Sequence, residues 1–291
     1  MRKQTDRTDR WGRTRAETKR DNEMKADRLT DYGFSTVAMA TQNPEFTGER
    51  IVPGKTVEAL FREHEERYVF AAQYVSGKDV LDVACGTGVG TSFLREAGAR
   101  MVWGLDIDPD TVAFAKSRYK ACEFFQGEAT NLCLSDNSVD VVASFETLEH
   151  LKDQRKFMLE CRRVLRPGGL LICSTPNTTI YRWQGVNPYH VHELTAREFK
   201  ELVETYFGDL QIFSQAEHVY PFYLLRRSIL RVLGSLNLKN AVKLILGRSS
   251  SVEPFRVEFV NDFNSLNTII VPYRWSILVQ PMYLIVIARK L

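Results

Sequence analysis

Short runs of apolar residues alternate along the middle of the chain with segments of helical spacing. Val80 to Ala84, Met101 to Asp106, Glu123 to Gln126, Val139 to Phe145 and Leu170 to Ser174 read as strands. Helices are predicted between them and just ahead of them: Val57 to Val75, Gly90 to Ala97, Asp110 to Tyr119 after Asp108-Pro109, and Asp153 to Leu165, closing at Arg166-Pro167-Gly168-Gly169. This is the order of a parallel sheet wound with crossover helices. A further helix begins near Thr195 and runs to Tyr206, Leu210 to Phe213 suits a sixth strand, and Tyr283 to Ala288 a seventh. The pattern divides the chain into a charged tail over residues 1–42, an α/β domain over 43–216 plus 282–291, and an insertion over 217–281 placed before the last strand.

Composition adds limits. The 291 residues are 44% apolar and 26% charged, enough to bury a core, and 39 basic against 36 acidic residues leave a charge of +3. So even a balance argues against a protein that coats nucleic acid. The first 30 residues nearly lack aliphatic side chains and are expected to stay flexible and solvated. No apolar run reaches the roughly 18 residues that span a bilayer, and the Arg-rich start has no apolar stretch of a secretory signal, so a soluble, cytoplasmic protein is expected. The five cysteines (Cys85, Cys122, Cys133, Cys161, Cys173) form no CxxC pair and sit in or beside apolar stretches, which suits reduced, buried thiols.

The sharpest signal is Val80-Leu81-Asp82-Val83-Ala84-Cys85-Gly86-Thr87-Gly88-Val89-Gly90, a strand that breaks into a glycine turn and enters a helix. Glycines there let the backbone approach a ligand at the carboxyl end of the strand. Asp106 ends the next strand, twenty positions beyond Gly86, where a carboxylate can accept both ribose hydroxyls, whereas Asp108 suits a helix cap. The spacing is GxGxG and not GxGxxG, and Asp82 would repel a pyrophosphate, so a nicotinamide oxidoreductase is disfavoured. An acid at that place suits a ligand bearing an amino group and a sulfonium.

Together with Gly127-Glu128-Ala129 after the third strand and Leu165-Arg166-Pro167-Gly168-Gly169 before the fifth, these residues resemble class I S-adenosylmethionine (SAM)-dependent methyltransferases over roughly residues 46–215 and again at the last strand. The resemblance implies an α/β fold with a seven-stranded Rossmann-like sheet and SAM as cofactor. It places Asp82, Gly86 and Gly88 against the methionine part, Asp106 on the ribose, Glu128 and Ala129 beside the adenine, and Phe145 in the cofactor site. The family usually has Asp where Glu128 stands, and Glu128 equally suits a solvated loop acid.

Strand four ends in Phe145-Glu146-Thr147-Leu148-Glu149-His150, which puts two carboxylates and an imidazole within one turn, a set that suits Mg²⁺, Mn²⁺ or another divalent ion. The ExxEH order resembles metal-dependent small-RNA 2′-O-methyltransferases and, in part, ubiquinone-pathway O-methyltransferases. That resemblance implies metal ligands Glu146, Glu149, His150 and His190, the last standing five residues before Thr195; His192 fits less well. Metal-free relatives also carry an EH pair here, in which Glu146 contacts cofactor or substrate and His150 acts as base. Both versions imply an O-methyltransferase with Glu146 and His150 as its catalytic residues.

The opening Phe46-Thr47-Gly48-Glu49-Arg50-Ile51-Val52-Pro53-Gly54, the helix bearing His64-Glu65-Glu66-Arg67-Tyr68, and the Asn187 to Leu194 loop resemble bacterial glycan-pathway methyltransferases. This implies a sugar, lipid-linked glycan or small-metabolite acceptor and no nucleic acid, with Tyr68 and Arg50 as candidates to fold over the cofactor. Tyr220 to Arg248 interleaves Leu224, Leu225, Ile229 and Leu230 with Arg226, Arg227, Arg231 and Lys243 and holds no acid. Residues 222–248 therefore suit peripheral contact with an anionic membrane, or a lid or dimer face with a basic rim. A SAM-binding module without catalysis is the remaining alternative, and the intact Glu146, Glu149 and His150 set opposes it.

Overall fold

The structure, a computed structural model, describes residues 56, 58–182, 187–219, 270–273 and 279–291. The tail, Arg50 with its surrounding motif, and the basic stretch 222–248 lie outside the described residues. The first element is helix α1 (Glu58–Ala72). Then follow β1 (Asp79–Val83), α2 (Val89–Glu96), β2 (Met101–Asp106), α3 (Pro109–Arg118), β3 (Glu123–Gln126) and β4 (Val139–Ser144). A single 3₁₀ turn, Leu148–His150, precedes α4 (Gln154–Val164), β5 (Leu165–Pro176), the one-turn α5 (Thr178–Tyr181) and α6 (Ala196–Tyr206). The chain closes with β6 (Gly208–Val219), β7 (Val271–Pro272) and β8 (Val279–Arg289).

These strands form one sheet in the order β3-β2-β1-β4-β5-β8-β6-β7. The five strands β1 to β5 are mutually parallel, and β8 runs antiparallel between β5 and β6. Their carboxyl ends therefore share one edge, where the segments after Val83, Asp106, Gln126, Ser144 and Pro176 meet. One face packs Leu81, Val83, Leu105 and Val142 against Phe157, Met158, Phe199 and Val203 of α4 and α6. The other packs Val80, Val102, Val141 and Ala143 against Phe70, Ala71 and Leu94 of α1 and α2. Both faces of the strands are covered, which is why β1 is buried at all five positions and reads as a continuous apolar run broken only by its acids.

Local chemistry sets the helix starts. Asp108 accepts from the Thr111 amide with Pro109 at the first helical position, Asp153 accepts from the Lys156 amide, and Thr195 with Glu198 forms a reciprocal capping box. The expected α/β class holds, with three differences. There are eight strands among the described residues, the eighth being the two-residue β7 that pairs with Phe213 and Ser214. The Arg166-Pro167-Gly168-Gly169 turn lies inside β5, because the ladder to β4 steps from Val139↔Leu165 to Val141↔Leu170 and absorbs it as a bulge. Strands β6 and β8 also stay paired out to Val219↔Val279, past the expected limits of the insertion, since β8 is held by ladders on both sides.

At the opposite edge, Asp79 and Asp140 are bridged by Arg166, and Arg100 pairs with Asp79 through both guanidinium and carboxylate forks. These partners hold the Asp79 carboxyl below its usual range, with the Arg100 hydrogen bond the largest cause. Cysteine burial is uneven: all five are free thiols, Cys85, Cys161 and Cys173 are buried, Cys122 is half-buried, and Cys133 is exposed between Leu132 and Leu134, which both turn toward the core. No described helix is long and apolar enough to cross a membrane. Replacing Thr195 by Ala removes one half of the capping box and is expected to lower unfolding stability by about 1 kcal/mol, read from the urea midpoint.

Candidate active site

The turn after β1 is built from left-handed residues: Ala84 at φ 59°, Gly86 at 54° and Gly88 at 80°. Ala84 pays for this conformation with its Cβ, a strain of the kind found where backbone position matters more than comfort. Glycine is needed at two positions for a second reason. A Cβ on Gly88 would fall 2.8 Å from the Phe124 ring, and one on Gly90 would fall 1.9 Å from Cζ of Tyr68. The third glycine of the motif thus seats the Tyr68 phenol from α1 against the start of α2.

That phenol reaches Asp82. Tyr68 donates to the carboxylate with its hydroxyl 3.2 Å from each oxygen, and Thr91 Oγ1 donates to Oδ2 at 2.6 Å. Asp82 itself is fully buried. Burial pushes its carboxyl up to about 7, against the hydrogen bonds from Thr91 and Tyr68 and with added repulsion from Asp106. Asp82 is therefore covered by Tyr68 instead of lining an open surface, and a cationic group would meet it beside the phenol.

Asp106 stands at the same edge, half-buried, with Oδ2 accepting from the Gly86 amide at 2.8 Å and Oδ1 from the Asp108 amide at 3.0 Å. Its carboxylate is fixed by backbone and joins the ends of β1 and β2. Ile107, the next residue, is 66% exposed, a large apolar side chain held out at the edge. Sequence reasoning passed over it, although an isoleucine between two aspartates after a strand was the available signal. Glu128 is exposed and Ala129 half-buried in the loop after β3, where Glu128 bridges Asn131 through the backbone. Phe145 is buried and meets Tyr68 edge to face at 4.9 Å, so it supports the phenol from the β4 side.

The ExxEH segment separates into two parts. Glu149, His150 and His190 offer ligand atoms that all lie within 4.8 Å of one another. Glu146 is outside that group: its backbone is left-handed at φ 51°, its Oε1 accepts from Ser174 Oγ at 2.6 Å, and Arg67 lies 3.6 Å away. Glu146, expected as a further ligand, has its carboxylate held by Ser174 of β5 and faced by Arg67 of α1. Glu149 is buried, accepts from Thr175 Oγ1 at 3.2 Å, and has its carboxyl raised by burial and by the nearby Glu146. Its backbone carbonyl takes the amides of Val191 and His192, which is what carries the 187–194 loop over the edge. His150 Nδ1 lies 3.1 Å from the Tyr189 carbonyl and His190 Nδ1 lies 2.7 Å from Glu193, contacts that orient both rings with their Nε2 atoms as the remaining coordinating positions. His192 is not in the group.

Two imidazoles and a desolvated carboxylate, each steered by a further hydrogen bond, fit a divalent cation. The buried Glu149 carboxylate lies 3.9 Å from His150 Nε2.

Residues 81–173 match the family model described as "Methyltransferase domain". That segment is similar to methyltransferase domains. The chain is 45% identical over 163 residues to a Mycolicibacterium smegmatis protein named a probable S-adenosylmethionine-dependent methyltransferase, an alignment covering 55% of this chain and 63% of that one. A Mycobacterium tuberculosis protein of the same description is 42% identical over 161 residues, 54% of this chain and 58% of the relative. The chain thus spans about six-tenths of the length of these curated relatives. A SAM-dependent methyltransferase structure from Archaeoglobus fulgidus superposes with a TM-score of 0.52 at 20% identity, covering 81% of this chain and 96% of that one. One from Thermotoga maritima gives 0.51 at 15%, with 80% and 93% coverage. These two likenesses show the methyltransferase fold.

Asp82 yields a signed prediction. Its folded value of about 7 lies above the ordinary 3.8, so ionising it costs folding energy that is absent at pH 4, grows as pH rises, and is complete above pH 7. Asp82→Asn should therefore raise the stability of the ligand-free protein by about 2 kcal/mol at pH 8, with the gap closing toward pH 4 in urea titrations.

Proposed function

We propose that this chain is a SAM-dependent methyltransferase that methylates a hydroxyl oxygen of a sugar, lipid-linked glycan or other small-molecule acceptor, with a divalent cation held by Glu149, His150 and His190. The observation that carries the proposal is the convergence of that cluster with the glycine turn, Asp82 and Asp106 on one sheet edge. Asp82 beside Tyr68 suits the cofactor's ammonium, Asp106 its ribose, and Ile107 with Glu128 and Ala129 its adenine. Gly86 and Gly88 allow the methionine part to approach the backbone.

In the reaction, the acceptor oxygen attacks the methyl carbon in line with the sulfonium, the carbon–sulfur bond breaks with its electrons going to sulfur, and the hydroxyl proton passes to a base. Positioning supplies much of the acceleration. The cation, when bound, lowers the hydroxyl's pKa and helps to orient it. Glu146, fixed by Ser174 next to the cluster, would line the approach of the acceptor. The contact between Glu149 and His150 Nε2 favours a second version in which the imidazole takes the proton without metal.

A lipid-linked acceptor has support from a further relative, the phthiotriol/phenolphthiotriol dimycocerosates methyltransferase of Mycobacterium tuberculosis, 36% identical over 130 residues, 42% of this chain and 48% of that one. The basic stretch 222–248 would bring the enzyme to the bilayer surface where such an acceptor resides. Deleting it is expected to abolish sedimentation with anionic vesicles, and undiminished binding would refute the membrane contact.

Calorimetry on metal-stripped protein tests the core of the proposal. S-adenosylhomocysteine should bind, and Mn²⁺ should then bind with an affinity reduced about 100-fold in Glu149→Ala and in His150→Ala, at the upper end of what outer positions of metal sites show. Because Glu146 is outside the cluster, Glu146→Gln should keep Mn²⁺ affinity within about threefold of wild type. Cofactor binding without metal binding would select the His150 version, and no cofactor binding would overturn both.

A further inference from the structure

Arg67 occupies α1 one position before Tyr68, and its side chain is wholly buried. Its Nε donates to Gln215 Oε1 at 2.8 Å, and Gln215 Nε2 donates in turn to the Glu63 carbonyl at 3.0 Å. The guanidinium carbon stands 4.3 Å from the centroid of the Tyr283 ring. Those contacts are sufficient to dock α1 on β6 and β8, and they use one donor and one face of the group. The two terminal nitrogens are left without a hydrogen-bond partner. Among the described residues the carboxylate within ion-pair range is Glu146, at 3.6 Å, too long for a hydrogen bond and with the same Oε1 already held by Ser174.

A buried guanidinium with both terminal nitrogens unfilled is costly, and a purely structural arginine would normally spend them. The group instead presents a planar fork, the geometry that matches a two-oxygen anion. Glu63 forms no ion pair with Arg67 among the described residues, and burial pushes its carboxyl up, against the charge of Arg67.

The fork also has a direction. Tyr283, beneath it, is followed by Tyr181 at 6.4 Å, Tyr181 stacks on His190 at 5.2 Å, and His190 meets His150 edge-on at 4.9 Å. One aromatic wall therefore runs from the guanidinium to the imidazole cluster, with Glu146 between them. We infer that the terminal nitrogens of Arg67 bind an oxyanion of the acceptor, a carboxylate or a phosphate, while the hydroxyl to be methylated lies against the Glu146 to His150 segment. This rests on the methyltransferase function proposed above and adds the chemical class of the acceptor.

The competing oxyanion is the cofactor's own carboxylate. The geometry favours the acceptor, because the partners of Arg67 come from β6, β8 and the segment after β4, whereas its neighbour Tyr68 is the residue turned to Asp82 and the glycine turn. Residues adjacent on a helix point about 100° apart, so the two side chains serve different halves of the edge.

The test uses full-length protein saturated with S-adenosylhomocysteine and titrated by calorimetry with acetate and, separately, with methyl phosphate. One probe should bind at a single site in the wild type, with the stronger of the two identifying a carboxylate or a phosphate source. Arg67→Lys and Arg67→Met should weaken it about ten- to a hundredfold while S-adenosylhomocysteine affinity stays within about threefold. Absence of binding by either probe in the wild type overturns the inference without recourse to variants that fail to fold. So does a loss of S-adenosylhomocysteine affinity in Arg67→Lys, which would assign the fork to the cofactor. Failure of the wild type to bind S-adenosylhomocysteine at all removes the methyltransferase function first and this inference with it.

Discussion

The architecture of the site depends on one carboxylate taken out of water. Asp82 lies in the central strand of the sheet with Thr91 of α2 and Tyr68 of α1 closing over it. Both helices that flank this face of the sheet are thereby tied to the strand that carries the glycine turn. The contact of Gly90 with the Tyr68 ring is a consequence: the phenol can reach the carboxylate only if α2 starts without a side chain at that position. A buried acid held by hydroxyls alone is poorly neutralised, and the protein keeps it at some cost to stability. That cost is intelligible if a cation completes the arrangement during function.

The same helix carries the opposite charge one residue earlier. Arg67 and Tyr68 divide α1 between two halves of the sheet edge, the arginine over β6 and β8 and the tyrosine over β1. Glu146 lies between them with a left-handed backbone, fixed by Ser174 through both its amide and its carboxylate. A single helix thus places a cation over one half of the edge and a phenol over the other.

Features that depend on a few neighbouring residues were legible in the sequence. The glycine turn, Asp106 at the strand end, the Asp108 cap and the start of α6 at Thr195 all rest on contacts within a few residues or on one βα unit. Features that depend on distant partners were not. Glu146 follows the ExxEH pattern, yet its position is decided by Arg67, 79 residues before it, and by Ser174, 28 residues after it. The short strand β7 exists through pairing with Phe213 and Ser214 across the insertion, and two residues carry no periodicity of their own. Cys133 sits between two leucines and is exposed, since the loop turns Leu132 and Leu134 to the core and the thiol away from it.

The division of the ExxEH segment also bears on how the chemistry is arranged. Glu149 and His150 follow directly in a 3₁₀ turn whose amides and carbonyls are tied to Thr147, Leu148 and the 187–194 loop, so these two side chains are placed by backbone. His190 is brought to them by the amides of Val191 and His192 on the Glu149 carbonyl, and its ring is then held by Glu193 and stacked on Tyr181. The cluster is thus preorganised largely by backbone contacts. Glu146 is held by side chains instead, one of them an arginine with donors to spare. The part of the motif placed by backbone is the part whose side chains cluster, and Glu146 is set apart from it by its side-chain partners.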